Sequence, residues 1–364
     1  MLGVGRRTST AYAGEVKDTH FLGREPIDAL YRWFADETAP TSPVWERLCR
    51  WVADTPAVHA RLDALPGMAR QPNRFLAAVC YLGGPTEPGP AFLAWLEESW
   101  PQVEEVVLTR TTQTNEPGRC AVTAPVLASL PQPVALLELG PSAGLCLLPD
   151  RYAYRYPSEG DEGDGGDEGG AAPVVRPGSA DPASPVLTCT VAGTPPGDPT
   201  DLVVAGRLGL DLNPLDVTDP DTRRWLRALV WPGEEDREER LVAALEVAAQ
   251  DPPPLRRTDL TQDPAAVVGA AVEKLRTAYP GATPVVLHSA VLAYLDAEDR
   301  AAVCDAIRAS GARWLSMEGL AVVPGVRERA EALGGPPSRT TFVLALDGEP
   351  VGWAQAHGRW VTWV

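Results

Sequence analysis

Apolar and polar positions divide the chain into a helical first third and a longer region in which strands alternate with helices. Near the start, apolar residues recur at the spacing of one helix face: Ile27, Leu30, Tyr31 and Phe34. The pair Ser42-Pro43 then supplies a capping side chain and a first-turn proline for a second helix. These patterns predict an all-helical N-terminal domain over residues 1–125 that caps the rest of the chain.

The pattern changes in the region 126–364. Val134–Leu137 is an unbroken apolar run, as in a parallel strand that is buried on both faces. Further apolar runs at 284–287 and 314–317 alternate with helical segments, and three short strands joined by turns end the chain. This order predicts an α/β fold, in which a doubly wound, Rossmann-like sheet finishes in antiparallel C-terminal strands.

An insertion at 150–192 interrupts this second domain. The stretch Tyr152–Tyr156 has a tyrosine at every second position, which predicts a strand, with Val186–Val191 as its partner in a hairpin. Between them, residues 158–170 contain only Asp, Glu and Gly after the first serine. Such a stretch cannot bury apolar surface, so a mobile loop is expected there. Residues 202–208, which follow the insertion, are predicted to form a short helix.

Candidate chemistry begins directly after the first predicted strand. Glu138, Gly140, Ser142 and Gly144 occupy every second position of a turn rich in small residues. Small residues let backbone N–H groups approach a ligand closely. The same Gly-x-Ser-x-Gly spacing is also that of the nucleophile elbow of α/β-hydrolases. The turn therefore permits two chemistries, ligand binding and nucleophilic attack by Ser142.

Polar residues also end the later strands of the predicted sheet. Asp211 and Asp259 follow the second and third strands, and His288 and Glu318 follow the fourth and fifth. In doubly wound sheets, ligands bind at the carboxyl ends of the strands where the strand order reverses. An acid after the second strand can accept from both ribose hydroxyls, and one after the third from an adenine amine. This series predicts a cleft for a nucleoside-type small molecule.

Three stretches resemble motifs of class I S-adenosylmethionine-dependent methyltransferases, namely 138–144, 209–214 and 257–260. The resemblance implies S-adenosylmethionine as cofactor, with the small residues of the turn at its methionine end. Glu138 would hold the amino group through water or backbone, Asp211 the ribose, and Asp259 with Leu260 the adenine. The cofactor residues that the resemblance implies are Glu138, Gly140, Ser142, Gly144, Asp211, Asn213, Asp259 and Leu260.

Methyl transfer to a small-molecule acceptor needs mainly alignment and at most one base. His288, at the end of the fourth strand, is the candidate base, and Tyr294 a candidate acceptor contact. The polar segment 111–119 has two interpretations: a capped loop that leads into a helix, or a lip over the glycine turn. In the second interpretation Gln113, Asn115, Glu116 and Arg119 form the lip, and Gln113, Asn115 and Arg119 are acceptor contacts.

A hydrolase would instead use Ser142 with an acid and a histidine later in the chain. His288 or His357 could serve as the histidine, with Asp259 or Glu318 as the acid. A third possibility is a ligand-binding or regulatory protein that has the same fold without catalysis.

A second resemblance covers nearly the whole chain. Four stretches together are similar to a large bacterial family of unknown function: 113–116, 138–145, 150–152 and 211–217. This resemblance implies no reaction.

Composition narrows the class of partner. The formal net charge is -17 and the pI about 4.7, which argues against binding to nucleic acid or to an anionic membrane, because phosphate attraction needs clustered cations. No apolar run approaches the ~18 residues of a membrane span, and no signal peptide is recognisable at the start, so a cytoplasmic protein is expected. The six cysteines and four histidines lack metal-ligand spacing, and no metal site is predicted.

Overall fold

The computed structural model describes residues 25–158, 172–338 and 340–364. The predictions for the first residues of the chain, and for almost all of the acidic glycine-rich stretch 158–170, therefore lie outside the described residues.

Helices form the N-terminal region, as predicted. The apolar face of the first helix is buried, and the Ser42 hydroxyl caps the second by accepting from the Trp45 N–H at 3.4 Å. Four of these helices have a proline in the first turn, where no partner for its missing N–H is needed. The helices are α1 Ile27–Thr38, α2 Pro43–Ala53, α3 Pro56–Asp63, α4 Pro72–Tyr81 and α5 Pro90–Thr109.

Strands and helices alternate in the rest of the chain. The later helices are α6 Arg119–Ala128, α7 Pro220–Ala228, α8 Glu235–Gln250, α9 Pro264–Ala278, α10 Ala297–Ala309 and α11 Val326–Ala332. The strands are β1 Val134–Leu139, β2 Ala153–Arg155, β3 Val174–Val175, β4 Val186–Thr188, β5 Thr190–Ala192, β6 Val204–Asp211, β7 Leu255–Arg257, β8 Thr283–Ser289, β9 Arg313–Gly319, β10 Phe342–Leu346, β11 Glu349–Ala354 and β12 Trp360–Trp363.

Nine of the strands form one sheet in the order β5-β12-β11-β10-β9-β8-β1-β6-β7. The chain moves outward from β1 to β6 and β7, then returns to the other side of β1 to add β8 and β9, all in parallel. The strand order therefore reverses between β1 and β8. From β9 to β12 the strands run antiparallel. The predictions of a mixed α/β fold and a helical N-terminal region are confirmed.

Helices cover both faces of the sheet. On one face, Leu136 and Leu287 belong to a buried cluster that also contains the N-terminal helices and α8. On the other face, Leu137 and Val286 pack with α9 and α10. Alternate residues of a strand point to opposite faces, which accounts for this division. One continuous hydrophobic core thus joins the N-terminal helices to the sheet.

The predicted helix at 202–208 is wrong, because most of this segment is the first part of β6, which lies between β1 and β7. Gly206 lies where this strand packs closely against the Tyr279 side chain. A Cβ on this residue would lie 2.0 Å from the Tyr279 ring, so the strand passes closely under that side chain.

The insertion forms a small separate sheet in the order β3-β2-β4. The predicted partner of β2 is found, but the two strands pair in parallel, and the antiparallel neighbour is β3. Asp150 anchors the insertion to the main sheet, since both of its carboxylate oxygens accept from the Arg207 guanidinium, at 3.1 and 3.0 Å.

Among the described residues, no helix combines the length and apolar character that a membrane crossing requires.

Candidate functional site

The turn after β1, residues 140–144, has an unusual backbone. Gly140, Ser142 and Gly144 have φ angles of 69°, 55° and 78°, in the left-handed region that favours glycine. A Cβ on Gly140 would lie 2.5 Å from the Val291 side chain, and one on Gly144 would lie 2.5 Å from Pro253. The two glycines are therefore needed for close packing, and Ser142 adopts a glycine-like conformation.

Asp211 ties this glycine turn to the end of the neighbouring strand. Its Oδ2 accepts from the Ser142 N–H at 2.7 Å, and its Oδ1 accepts from the Asn213 N–H at 2.7 Å. The parallel pairing of β1 and β6 brings these groups together, because both chains leave the sheet at the same edge. The side chain is buried, and each carboxylate oxygen has a second lone pair available for a ligand.

The polar segment 111–119 lies against the glycine turn. Asn115 donates from Nδ2 to the Ser142 hydroxyl at 2.8 Å, and its Oδ1 accepts from the Ala143 N–H at 2.9 Å. Gln113 exchanges hydrogen bonds with Asn213, donating to its carbonyl at 2.9 Å and accepting from its side chain at 3.1 Å. The segment leads into α6 and also lies over the turn, so both interpretations of its position describe it. Its amides hold the turn in place.

Arg119 and Glu116 connect the same segment to the C-terminal hairpin. Arg119 is buried and donates to the carbonyls of Ala356 and Ser289, at 2.9 and 3.1 Å. Glu116 is also buried, and its Oε1 accepts from the Gly118 N–H at 2.9 Å. The segment is therefore fixed at both of its ends.

A buried ion cluster surrounds Glu116. Arg237 lies with Nε 3.1 Å from Glu116 Oε2, Arg240 with Nε 3.6 Å from Oε1, and His357 with Nδ1 3.5 Å from Oε2. Burial, reinforced by the nearby arginines, holds the pKa of His357 well below its usual value. Sequence reasoning missed both arginines, because they belong to a run of charged residues that is typical of a solvated helix face.

Glu138 is buried at the end of β1, and its Oε2 has no hydrogen-bond partner among the described residues. Burial raises the pKa of this carboxyl well above its usual value. The Cys146 thiol and Asp211 raise it further, while Arg119 opposes them. A buried acceptor without a donor is costly, and a cationic or donating ligand group would satisfy it.

His288 lies on the opposite face of the sheet from Glu138, fully buried. Its Nδ1 donates to Glu318 Oε1 at 2.8 Å, and its Nε2 accepts from the Trp314 indole N–H at 2.9 Å. The same Glu318 oxygen also accepts from two backbone N–H groups, those of Val291 at 2.9 Å and Leu292 at 3.1 Å. Both nitrogens of the candidate base are therefore engaged within the protein.

The remaining predicted site residues take no part in the hydrogen-bond network around the glycine turn. Asp259 accepts from the N–H and hydroxyl of Thr261, at 3.0 and 2.7 Å, and these bonds, the backbone one first, lower the pKa of its carboxyl. Leu260 packs in the core beside α9. Tyr294 is exposed beyond the end of β8, with 62% of its surface accessible.

Ser142 has no imidazole partner among the described residues. Its hydroxyl accepts from Asn115, while His288 and His357 contact Glu318 and Glu116. The third described histidine, His59, contacts the carbonyl of Val52. The geometry thus supplies no general base for a serine nucleophile in this part of the chain.

Comparison with curated proteins and with solved structures finds no match. A family model does match, and it covers residues 28–363, which include every segment of the site described above. The similarity to a bacterial family of unknown function, expected from the motifs at 113–116, 138–145, 150–152 and 211–217, is thereby confirmed. The chain belongs to the family described as "Uncharacterized protein conserved in bacteria (DUF2332)".

Proposed function

We propose that this protein binds S-adenosylmethionine at the carboxyl edge of β1 and β6 and transfers a methyl group to a small molecule. The observation that carries the proposal is the 2.7 Å hydrogen bond from the Ser142 N–H to Asp211. It joins the glycine turn to the acid of the adjacent parallel strand, next to the place where the strand order reverses. Ligands of doubly wound sheets bind at this place.

Two further features support a fit between the residues and this cofactor. The unpartnered, buried Oε2 of Glu138 can accept from an ammonium group, and a cation beside it would favour the ionised carboxylate. The second lone pairs of Asp211 can accept from two ribose hydroxyls. The left-handed φ of Ser142 also agrees with the glycine that this position has in most methyltransferases.

The cofactor would supply an electrophilic methyl group, and the chain would supply alignment. Asp211 would fix the position of the ligand relative to the glycine turn, while Asn115 holds Ser142 and Ala143 from the other side. Tyr294, exposed beyond β8, would contact the acceptor. Both ring nitrogens of His288 are hydrogen-bonded, so His288 would transfer no proton. It would instead orient Glu318.

A second candidate is a protein that binds the same ligand without catalysis. The observation that favours it is the closed environment of His288, which leaves neither ring nitrogen free to act as a base. The two candidates share the binding site and differ only in whether an acceptor is methylated.

Calorimetric titration of the full chain with S-adenosylmethionine tests the shared part of both candidates. We expect micromolar binding that Asp211→Ala abolishes. Asp216→Ala is the matched control, because Asp216 lies in the same segment, is exposed, and its carboxylate accepts from the N–H and hydroxyl of Thr218. Circular dichroism and thermal melting establish that both variants are folded. Wild-type protein that fails to bind the cofactor contradicts the proposal.

Labelling by an active-serine phosphonate probe separates these candidates from the hydrolase. We expect no labelling of Ser142, since its hydroxyl is hydrogen-bonded to Asn115 rather than to an imidazole. Stoichiometric labelling that Ser142→Ala removes would favour the hydrolase instead.

A further inference from the structure

A cavity of about 420 Å³ lies where the β5 and β12 edge of the main sheet meets the small inserted sheet and α6. Small-molecule sites have volumes of about 300–1,000 Å³, and this cavity is within that range. None of the described residues that line it belongs to the candidate site at the glycine turn. The lining residues are Pro125, Tyr156, Val175, Val191, Pro195, Gly197, Asp198, Pro199 and Trp363.

Two aromatic side chains form part of the wall and are held in place. The Tyr156 hydroxyl donates to the Ala121 carbonyl at 2.9 Å, and the Tyr156 ring stacks on that of Tyr154 with centroids 6.0 Å apart. Trp363 is the last residue of β12 and is buried. The faces of tyrosine and tryptophan rings carry negative electrostatic potential and attract cations. The wall is therefore suited to an organic cation as well as to an uncharged apolar molecule.

Asp198 distinguishes between these two classes of ligand, because it is the only charged residue among the described lining residues. Its Oδ1 accepts from the Thr200 N–H at 2.9 Å, which fixes the side chain at the start of the short 3-10 helix Pro199–Asp201. Asp198 is exposed, and no basic side chain in the described part of the chain forms an ion pair with it. An unpaired carboxylate beside two aromatic rings favours a positively charged ligand and disfavours an anion.

The apolar part of the wall restricts which cation fits. A primary ammonium group has three N–H donors, and each would need an acceptor. A fully alkylated nitrogen has no N–H donor that contact with proline and valine side chains would leave without a partner. Its positive charge is still attracted by the rings and by Asp198.

We propose that this cavity binds a quaternary ammonium ion. The alkyl groups of the ligand would contact the proline and valine side chains, Tyr156 and Trp363 would face its charge, and Asp198 would compensate that charge at the rim. The net charge of -17 also favours a cationic ligand over an anionic one. This inference does not depend on whether the glycine turn binds S-adenosylmethionine, because the two sites have separate residues.

Calorimetric titration of the full-length protein with para-hydroxyphenyltrimethylammonium tests the role of charge. Its matched compound is para-tert-butylphenol, which has the same shape but carries no charge. We expect the cation to bind about tenfold more tightly, since it gains both the aromatic faces and the carboxylate. Equal affinities, tighter binding of the uncharged compound, or no binding of the cation would contradict the proposal.

The indole signals in a proton–nitrogen correlation spectrum locate the bound cation. The chain has eleven tryptophans, and Trp363→Phe and Trp45→Phe each identify one signal by its loss. We expect the Trp363 signal to shift when the cation is added. The signal of Trp45, which packs against Phe34 in the N-terminal helices, should stay in place. A bound cation that leaves the Trp363 signal unchanged lies elsewhere, and the assignment of this cavity then fails.

Asp198→Asn removes the charge and keeps an oxygen that can cap the short helix. We expect it to weaken binding of the cation by about three- to fivefold, the effect of one exposed ion pair, and to leave binding of para-tert-butylphenol unchanged. Asp201→Asn is the matched control, because Asp201 is exposed in the same short helix and does not line the cavity. The control should bind the cation with wild-type affinity.

Equal weakening by both substitutions would indicate a general attraction to the acidic surface, and no weakening by Asp198→Asn would remove the carboxylate from the site. Either result would overturn the proposal. The comparison of the two ligands on the wild-type protein decides the question even where a variant does not fold.

Discussion

Glu138 and Glu318 occupy comparable places on the two sides of the strand reversal, and their hydrogen-bond environments differ. Each is a buried glutamate near the carboxyl end of a parallel strand. Glu318 accepts three hydrogen bonds on one oxygen, from a histidine and two backbone N–H groups. Both glutamates have an Oε2 atom without a hydrogen-bond partner among the described residues, and burial raises the pKa of Glu138 well above its usual value.

The difference separates a structural acid from a candidate binding acid. On the β8 and β9 side, three protein donors bind Oε1 of Glu318, while its Oε2 has no partner among the described residues. On the β1 and β6 side, the protein supplies donors to Asp211 but none to Oε2 of Glu138. The two glutamates therefore differ in the donors that the protein gives to their other groups and in the pKa shift of Glu138.

The largest expected effect is on the structural side. Glu318→Ala removes the acceptor for His288 and for the N–H groups of Val291 and Leu292, and leaves those donors buried. We expect the free energy of unfolding to fall by about 3–5 kcal/mol, because three buried donors lose their acceptor at about 1–3 kcal/mol each. Chemical denaturation with urea measures it.

Glu331→Ala serves as the control for this substitution, because Glu331 is an exposed glutamate on α11. Its stability should be close to that of the wild-type protein. If Glu318→Ala were as stable as this control, the contrast between the two halves of the edge would be lost.

Glu138→Gln should raise the free energy of unfolding relative to the wild type, and the size of this gain should depend on pH. A carboxyl whose pKa is raised in the folded state contributes stability that is fully present below the unfolded pKa, near 4.5, and is lost as the pH rises toward the folded pKa. Glutamine does not titrate, so the variant should gain stability relative to the wild type at about 1.4 kcal/mol per pH unit across this window.

Urea denaturation of both proteins at a series of pH values from 4 upward, roughly one unit apart, measures that slope. Glu318→Gln is measured alongside as the same substitution at the other buried glutamate, whose Oε1 accepts three hydrogen bonds. A stability difference for Glu138→Gln that does not change with pH would show that Glu138 is not forced toward its neutral form.

The smallest expected effect concerns the glycine turn itself. Ser142→Gly and Ser142→Ala both remove the hydroxyl that accepts from Asn115, but only glycine relieves the left-handed φ of 55°. The glycine variant should be more stable than the alanine variant by about 1 kcal/mol, the lower part of the cost of this conformation for a residue with a Cβ. The midpoint of urea denaturation measures the difference, and equal midpoints would contradict it.

Elements with strong local signals were predictable. The run Val134–Leu137 is the core of β1, and Asp296 caps α10 by accepting from the Asp299 N–H at 2.9 Å. The Asp347-Gly348 pair has φ angles of 54° and 84°, as its hairpin turn requires. In each case the physical cause lies within a few residues of the element.

Other features depend on distant partners and had no local signal. The 202–208 segment is apolar without a period, and only its place between β1 and β7 makes it a strand. Helix α11 is short and buries only Val326 and Ala330, so its pattern is too weak to detect. At the site, the motif positions were predictable, but the ion cluster around Glu116 depends on α8 and the C-terminal hairpin, which no spacing in the sequence links to it.

The contact between Gly118 and Gly358 shows how much of the chain this site requires. A Cβ on Gly358 would lie 2.1 Å from the Gly118 carbonyl oxygen, and one on Gly118 would lie 2.5 Å from that of His357. The last hairpin therefore forms the back wall of the polar segment, backbone against backbone. A polypeptide that stopped before this hairpin would lack that wall, so the position of the polar segment depends on the last two strands of the chain.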